Sequence, residues 1–183
     1  SFNVFPFQII IINDGSNEIT TNFLENFSSN NKEIKLINNE KNLGYTKAIN
    51  NGLKASQGDY VVALNSDTIV PKNWINRFID CFKSDKTIGI AGPLSNAASW
   101  QNIPNLKDTN QAFAVNEIPF GIDVNKFQLF LDKYTLSKYP KVPFINGFCF
   151  MIKREVIKKI GYMDEINFPV SYTHLRAHET SRN

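Results

Sequence analysis

The chain has 183 residues, a formal net charge of +3 and 42% hydrophobic residues. These values match one domain with a packed core and exclude a disordered or low-complexity chain, while the small charge gives no sign of nucleic-acid binding. The two cysteines, Cys81 and Cys149, fit neither a zinc motif nor a secreted disulfide framework, so we expect a reducing, cytoplasmic location. No apolar run approaches the roughly 18 residues that a membrane-spanning helix requires.

Apolar segments alternate with helical spacings through the first half of the chain. Short β-branched runs predict buried strands at 7–12, 34–37, 60–64 and 88–91. Apolar residues at helical spacing predict three helices. Ile19, Phe23 and Phe27 predict the first at 18–28, and the second runs from Tyr45 to Leu53 and is closed by Gly58. Pro71 opens the third, which has an apolar stripe from Trp74 to Phe82. This order predicts an α/β domain with a mostly parallel sheet that carries helices on both faces.

The alternation stops after Gly92. Residues 93–121 are rich in Asn, Pro and Ser and have no clear period, and a loop of this length in a compact domain is usually functional or disordered. Beyond it the patterns predict a helix at 124–134, a strand at 143–152 and a short helix at 155–160 that Gly161 ends. We find no repeat and no linker, and therefore expect a single domain over residues 1–169.

The last residues differ in composition from the rest, because they hold both histidines and no lysine. The string VSYTHLRAHET at 170–180 resembles the translation of a DNA-sequencing adapter. His174 and His178 have the i, i+4 spacing of a zinc pair, but no third ligand and no intervening Glu accompany them. We expect residues 170–183 to be an artefactual tail and neither a domain nor a metal site.

Two acidic residues follow predicted strands, where an open parallel sheet binds its ligands. Asp14 lies in Asn13-Asp14-Gly15-Ser16 and Asp67 in Asn65-Ser66-Asp67-Thr68. If the two strands are parallel neighbours, both carboxylates face one crevice, and their oxygens suit Mg²⁺ or Mn²⁺ bridged to a phosphate. The alternatives are that Asp14-Gly15 is only a turn before a helix capped by Ser16 or Asn17, and that Asp67 caps the next helix.

A third polar segment, Asn42-Leu43-Gly44-Tyr45-Thr46-Lys47, lies between the two acidic clusters. Its functional interpretation places Gly44 where the backbone approaches a ligand closely, with Lys47 within reach of a phosphate. The alternative is a loop glycine followed by an ordinary amphipathic helix.

Together the segments IIIINDGS, NLGYTKAINNGL and GDYVVALNSDT resemble the nucleotide-binding half of a family 2 inverting glycosyltransferase of the GT-A fold. GPLSNAASW and NGFCFMIKREVIKKIGYMDE also resemble that family, particularly bacterial enzymes that build surface polysaccharide. The resemblance covers nearly all of residues 7–168. It implies a nucleotide-sugar donor such as a UDP- or dTDP-sugar, Mg²⁺ or Mn²⁺ as cofactor, and a glycan or lipid-linked acceptor. It also allows peripheral membrane association of the intact enzyme.

The resemblance also implies roles for individual residues. Asp14 contacts the base or ribose of the donor, and Asn65-Ser66-Asp67 occupies the metal-binding DxD position, which leaves Asp67 as the main metal ligand because Asn65 replaces the first Asp. The donor-binding residues are Asp14, Gly15, Ser16, Asn42, Gly44, Lys47, Asn65 and Asp67. The residues on the acceptor side are Asn96, Trp100, Asn146, Gly147 and Asp164, with Trp100 equally compatible with a core position.

Two parts of the family pattern are not found in this sequence. The first strand is expected before Ser1, and the catalytic carboxylate is expected after Phe168, so no catalytic residue is assigned and the chain is expected to be an inactive fragment. Two alternatives to a glycosyltransferase remain at this stage. A sugar-nucleotide pyrophosphorylase shares the architecture but needs a glycine-rich basic loop upstream, and a non-catalytic nucleotide-sugar-binding domain would lack the downstream carboxylate.

Overall fold

A computed structural model describes residues 7–119, 121–134 and 139–168. The predicted tail and the His174–His178 pair therefore lie outside the described residues. In chain order the elements are β1 (Ile9–Asp14), α1 (Glu18–Ser29), β2 (Ile34–Asn39), α2 (Tyr45–Ala55), β3 (Tyr60–Leu64), α3 (Trp74–Ser84), β4 (Ile90–Ala91), a 3₁₀ turn (Ser99–Gln101), α4 (Val124–Tyr134), β5 (Cys149–Lys153) and α5 (Arg154–Ile160).

The predicted α/β class and the predicted order of elements are confirmed. The strand at residues 60–64 has the predicted bounds, whereas the first strand runs to Asp14 and thus carries this carboxylate on its last residue. The third helix begins at Trp74 rather than at Pro71, and the last strand is shorter than predicted.

The strands form two sheets. β1 and β2 pair in parallel from Ile9–Ile34 to Asp14–Asn39, and the second sheet has the order β3-β5-β4. β5 runs antiparallel to β4, with Ile90 opposite Ile152. This direction differs from the parallel strands that the βα alternation predicts, because β5 follows a long loop and α4 rather than a single crossover helix, and antiparallel pairing needs no crossover.

The described residues group into two compact units. The first comprises those within Ser1–Val61 and Arg154–Asn183, and the second comprises those within Val62–Lys153. In the first unit α2 packs on β1, and Gly52 of α2 faces the Ile12 side chain of β1. Arg154 ties α5 to the end of α2, since its guanidinium donates to the Leu53 and Gly58 carbonyl oxygens and to Ser56 Oγ.

The helix α1 contacts β2 through its less apolar side. Its half-buried residues include Thr21, Leu24 and Ser28, whereas the stripe that predicted the helix is exposed, at 82% for Ile19, 63% for Phe23 and 44% for Phe27. The i, i+4, i+8 spacing therefore identifies the helix correctly without identifying the face that it buries.

The core of the second unit lies between α3 and its sheet. It consists of Phe78, Cys81, Phe82, Ala91, Cys149 and Met151, with Val62, Trp74, Ile79, Ile88 and Phe148 packed around it. The predicted stripe on α3 thus faces the core, apart from Ile75, which is 39% exposed. Cys149 is fully buried, and this burial raises the pKa of its thiol to about 12. Both cysteines are free and buried, as expected for packing residues.

Candidate functional site

Asp14 is held by three hydrogen bonds at the end of β1. Its Oδ1 accepts from Asn39 Nδ2 at 2.8 Å and from the Leu43 amide at 2.9 Å, and its Oδ2 accepts from the Gly44 amide at 2.9 Å. Asn39 is held in turn by Asn51 of α2, whose Nδ2 donates to Asn39 Oδ1 at 3.0 Å. The carboxylate therefore fixes the loop that leads into α2, and this role was not part of the sequence-based interpretation.

Gly15 and Gly44 allow two loops of the first unit to approach closely. Gly15 has φ +72° and faces the backbone of Lys41 and Asn42, so that a Cβ there would overlap the Asn42 amide nitrogen. Gly44 has φ 84° and stands at the N-cap of α2, where its amide donates to both Asp14 and Asn42 Oδ1. Both glycines occupy left-handed conformations that other residues adopt only with strain.

The turn after Asp14 is organised by asparagines. Asn17, rather than Ser16, caps α1, because its side chain accepts from the Thr20 amide at 2.9 Å. Asn13 is buried, donates to Thr21 Oγ1 and Asn38 Oδ1, and accepts from the Ser16 amide. Asn13 directly precedes Asp14 at the end of the apolar strand β1. A polar residue at this position of an apolar strand is the sequence signal from which its structural role can be inferred.

One face of α2 binds the turn at residues 163–168. Thr46 Oγ1 donates to the Phe168 carbonyl at 2.6 Å, and Lys54 Nζ lies 3.4 Å from Glu165 Oε1. Between them Asn50, which is 1% exposed, donates to the Met163 carbonyl and to Glu165 Oε1 and accepts from the Met163 amide. These three residues have i, i+4, i+8 spacing, which places them on one helix face, but nothing in the sequence indicates their partners more than 100 positions away.

The carboxylates of this turn are engaged in local contacts. Asp164 accepts from the Ile166 and Asn167 amides at 3.0 Å and from Asn167 Nδ2 at 2.6 Å, and the Asn167 bonds lower its pKa. The hydrogen bond from Asn50 and the charge of Lys54 lower the pKa of Glu165. Lys47, in the first turn of α2, adds a smaller effect on Glu165 through its charge. Asp164 thus stabilises its own turn.

Asp67 lies in the second unit, on a turn directly after β3. The turn is fixed by its backbone, because the Asn65 amide donates to the Phe148 carbonyl at 2.8 Å and the Thr68 amide donates to the Asn65 carbonyl at 3.2 Å. Asp67 is exposed, and its carboxylate makes no hydrogen bond or ion pair within the described part of the chain. Because Asp14 belongs to the first unit and Asp67 to the second, their shared crevice stays a prediction.

The long loop of the second unit is held together by side-chain amides. Asn102 donates to the Ala114 carbonyl at 2.6 Å and accepts from the Ala98 amide. Asn116 pairs with Asn96 through the Asn116 amide and the Asn96 carbonyl at 2.8 Å, and through the side chain of each residue. The sequence analysis left open whether a loop of this length is functional or disordered. In the structure, asparagine side chains supply hydrogen bonds that regular secondary structure would otherwise supply from the backbone.

Gln101 links this loop to the segment before β5. Its Oε1 accepts from the Asn146 amide at 2.6 Å, and its Nε2 donates to the Pro93 carbonyl at 2.7 Å. Gln101 and Asn146 are both buried, and Gly147 directly follows. Of the predicted acceptor-side residues, Asn96 thus lies within this loop and Asn146 lies in the segment that Gln101 binds to it. Sequence analysis missed Gln101, Asn102 and Asn116, which organise the loop.

Trp100 is 39% exposed on the 3₁₀ turn of the same loop. Its ring meets Phe113 edge-on at 5.8 Å between centroids, and Lys107 Nζ lies 3.9 Å from the centre of the Phe113 ring. Trp100 is therefore neither a core residue nor fully free.

A divalent metal fits Asp67 by the chemistry of the donors. Among the residues that the structure describes, no cluster of three or more His, Cys, Asp or Glu side chains forms a protein cage for a metal. Mg²⁺ and related ions are commonly bound through one or two carboxylates together with substrate phosphates, which requires no cage. The Asp67 carboxylate, which is exposed and has no partner among the described residues, satisfies this requirement, whereas Asp14 already binds three protein donors.

No helix in the described ranges has the length and apolarity to traverse a bilayer.

Comparison with known proteins agrees with this architecture. An uncharacterized glycosyltransferase of Haemophilus influenzae is 35% identical over 85 residues, which are 46% of this chain and 26% of that protein. The poly-beta-1,6-N-acetyl-D-glucosamine synthase of Staphylococcus aureus is 38% identical over 82 residues, 45% of this chain and 20% of that protein. The chain thus spans about a quarter and a fifth, respectively, of the length of these relatives.

Two solved structures share the fold. A mannosyltransferase from Pyrobaculum calidifontis in complex with GDP-Man and Mn²⁺ superposes with a TM-score of 0.54 at 15% identity, over 87% of this chain and 39% of that one. GalNAc-T7 with UDP, GalNAc and Mn²⁺ superposes with a TM-score of 0.58 at 20% identity, over 86% and 30%. Both are glycosyltransferases of the GT-A fold. The family model Glycosyl transferase family 2 matches residues 3–161, and the chain belongs to that family.

Proposed function

We propose that the protein is the donor-binding part of an enzyme that transfers a sugar from a nucleotide-sugar to an acceptor hydroxyl, with inversion, in the synthesis of a bacterial surface polysaccharide. Family membership and the relation to a polysaccharide synthase support the reaction class. The observation that carries the proposal is the contrast between the two strand-end carboxylates. Asp14 is bound by protein donors, whereas Asp67, on the turn after β3, is exposed and unpaired within the described residues.

The first unit supplies the frame for the nucleotide. Asp14 holds the amides of Leu43 and Gly44, so the entry to α2 keeps one shape without a ligand. Lys47 lies in the first turn of this helix, where a cation favours an anionic ligand such as a diphosphate. A preformed loop costs little conformational entropy on binding, which favours affinity.

Asp67 would hold the divalent cation, Mg²⁺ or Mn²⁺, and Asn65 stands at the other end of the same turn. When bound, such a cation neutralises the charge that develops on the departing nucleoside diphosphate. The turn itself is rigid, because the Asn65 amide and carbonyl are both hydrogen-bonded, and it therefore presents the carboxylate at a fixed point after β3.

Asp164 and Glu165 are poorly suited to deprotonate an acceptor. A general base works best when its pKa lies near the working pH, and hydrogen bonds lower the pKa of both carboxyls from ordinary values that are already acidic. Both groups also serve structural contacts of the 163–168 turn. We therefore propose that the base comes from a part of the enzyme other than this turn, and that this chain alone transfers sugar at a negligible rate.

The test is isothermal titration calorimetry of the chain with UDP, dTDP and GDP, each with Mn²⁺. We expect one of these nucleotides to bind, EDTA to abolish binding, and Asp67→Asn to weaken it at least about ten-fold because a charged metal ligand is lost. Asp80→Asn is the matched control, since Asp80 is an exposed carboxylate on α3 of the same unit, and it should leave the affinity unchanged.

Binding that is equally strong with EDTA would contradict the metal role of Asp67. The absence of binding to all three nucleotides would contradict the donor-binding proposal itself. Incubation with UDP-sugars, Mn²⁺ and simple acceptors addresses the base separately. Rapid product formation that Asp164→Asn or Glu165→Gln removes would place the base in the 163–168 turn and refute that part of the proposal.

A further inference from the structure

The helix α4 carries a solvent-exposed face that combines aromatic, aliphatic and basic side chains. The face is formed by Lys126, Leu129, Phe130, Lys133 and Tyr134, which have i, i+3, i+4, i+7, i+8 spacing on one side of the helix. Leu129 is 67% exposed, Phe130 56% and Tyr134 62%. The two rings lie 4.7 Å apart, and Lys133 Nζ lies 5.1 Å from the centre of the Tyr134 ring. We call these five residues the α4 face.

The opposite side of α4 is attached to the second unit, and this attachment fixes which side faces solvent. The Asp132 carboxylate receives both guanidinium nitrogens of Arg77, at 2.6 and 2.5 Å, and also accepts from Gln128 at 2.9 Å. At the start of the helix, Asn125 Oδ1 accepts from the Lys72 amide at 2.8 Å. The α4 face is therefore held outward by contacts on its far side.

The charge of this surface is positive. Of the nearby acidic groups, Asp132 is paired with Arg77 on the far side. Asp123, just before the helix, keeps its negative charge, because hydrogen bonds led by the one from the Lys126 amide lower its pKa. Lys126 and Lys133 therefore leave the surface with one positive charge in excess. The two lysines of the α4 face flank its rings and project into solvent. A helix with lysines beside exposed aromatic and aliphatic side chains has the composition of helices that lie in a membrane interface, where tyrosine keeps its hydroxyl in the headgroups.

The exposed apolar stripe of α1 provides an internal comparison. Phe23 and Phe27 stack at 5.9 Å between centroids and are exposed to a similar degree, but the charged residues of α1 are Glu18 and Glu25. An anionic surface repels that helix and attracts α4. A ligand that recognised only exposed apolar side chains would bind α1 and α4 alike. The opposite charges of the two helices therefore favour an anionic ligand for the α4 face.

We propose that the α4 face binds the surface of an anionic lipid bilayer, with Leu129, Phe130 and Tyr134 in the headgroup region and Lys126 and Lys133 against lipid phosphates. Binding through this face holds the chain at the membrane surface. The inference concerns a surface in the second unit and does not depend on the proposed reaction or on the nucleotide.

The test is sedimentation of the chain with vesicles of phosphatidylglycerol and phosphatidylcholine in equal parts, and with vesicles of phosphatidylcholine alone. We expect binding to the anionic vesicles only, and its loss in 1 M NaCl, where the Debye length falls to about 3 Å. Lys126→Glu with Lys133→Glu should lower the partition coefficient at least about 20-fold, because each lysine near an anionic surface contributes roughly five-fold. Phe130→Ser with Tyr134→Ser should lower it at least about ten-fold through lost apolar burial.

The matched control is Phe23→Ser with Phe27→Ser, which removes two exposed rings from the acidic helix α1 and should leave binding unchanged. Far-UV circular dichroism checks that each variant is folded. If the Phe130→Ser with Tyr134→Ser variant does not fold, the Lys126→Glu with Lys133→Glu variant still tests the proposal. Equal binding to both vesicle types, no binding to either, or wild-type binding by the lysine variant would overturn the proposal. So would a dimer in lipid-free solution that the ring substitutions abolish, since a second copy would then cover the face.

Discussion

Replacement of Gly15 by alanine tests whether the loop after β1 and the loop before α2 are in direct contact. A Cβ at Gly15 would overlap the Asn42 amide nitrogen and lie 2.5 Å from the Lys41 carbonyl carbon. These are backbone atoms, so no side-chain rotation relieves the overlap. The loop must move, and with it the Leu43 and Gly44 amides that Asp14 binds.

The expected cost has two separable parts. An alanine with positive φ costs roughly 1–2 kcal/mol, partly offset by about 0.4–1 kcal/mol from the stiffer unfolded chain, and we take the net cost as about 1 kcal/mol. The overlap and the weakened hydrogen bonds to the Asp14 carboxylate add roughly 2–4 kcal/mol. Gly161→Ala isolates the first part, because Gly161 has φ +85° in the same unit and an added Cβ there has no atom within 4 Å.

We therefore expect Gly15→Ala to lower the melting temperature by roughly 6–20 °C and Gly161→Ala by about 2–4 °C, at 2–4 °C per kcal/mol for a chain of this size. Far-UV circular dichroism during heating and urea unfolding measure both. Amide hydrogen exchange provides a local readout, since the Leu43 and Gly44 amides should exchange faster in Gly15→Ala only. Equal losses of stability in the two variants, with both amides still protected, would refute the contact between the loops.

Three further predictions concern buried or hydrogen-bonded groups. Asp14→Asn should lower the free energy of unfolding by about 1–3 kcal/mol in urea denaturation, since its amide nitrogen cannot accept from a backbone amide; an unchanged value would show that the loop does not need the carboxylate. Asn50→Ala should raise the pKa of Glu165 in a ¹³C NMR titration, because the largest cause of its lowering is removed. The stabilisation that comes from the lowered pKa of Glu165 is fully present at pH values above the pKa of glutamate in the unfolded chain. It is lost as the pH falls through the lower pKa of Glu165 in the folded chain. This loss of stability in acid should be smaller in Asn50→Ala. Cys81 and Cys149 should react with Ellman's reagent at pH 8 only after unfolding, since burial raises the pKa of both thiols.

Much of the fold follows from local patterns in the sequence. The apolar run at 60–64 has the bounds of β3, and the stripe from Trp74 to Phe82 belongs to a helix whose buried side faces the core. Apolar residues repeat at different spacings in strands and in helices, and these spacings involve only residues that are close in the chain. The order of strands and helices can therefore be predicted without tertiary information. The position of Asp14 at a strand end and the positive φ of Gly15 and Gly44 are also local, because each concerns one turn. The close approach of Gly15 to the Lys41 and Asn42 backbone is not local, because it joins two separate loops.

The partners of these residues were decided by the tertiary structure. The same i, i+4, i+8 spacing that marks α1 leaves Ile19, Phe23 and Phe27 exposed, since periodicity identifies a helix but not the surface that it meets. Asn50 is buried because its amide matches the Met163 backbone, 113 positions away. The direction of β5 depends likewise on where the long loop returns the chain.

The candidate site divides in the same way. The sequence by itself identified Asp14 and Asp67 as strand-end carboxylates, because residue type and position along the chain are enough for that. Only the folded chain distinguishes their surroundings, since three donors from Asn39, Leu43 and Gly44 converge on Asp14 while Asp67 stays exposed. A hydrogen bond forms only when donor and acceptor lie within about 3 Å of each other. The sequence does not give the distance between residues that are far apart in the chain, so it could not identify these partners.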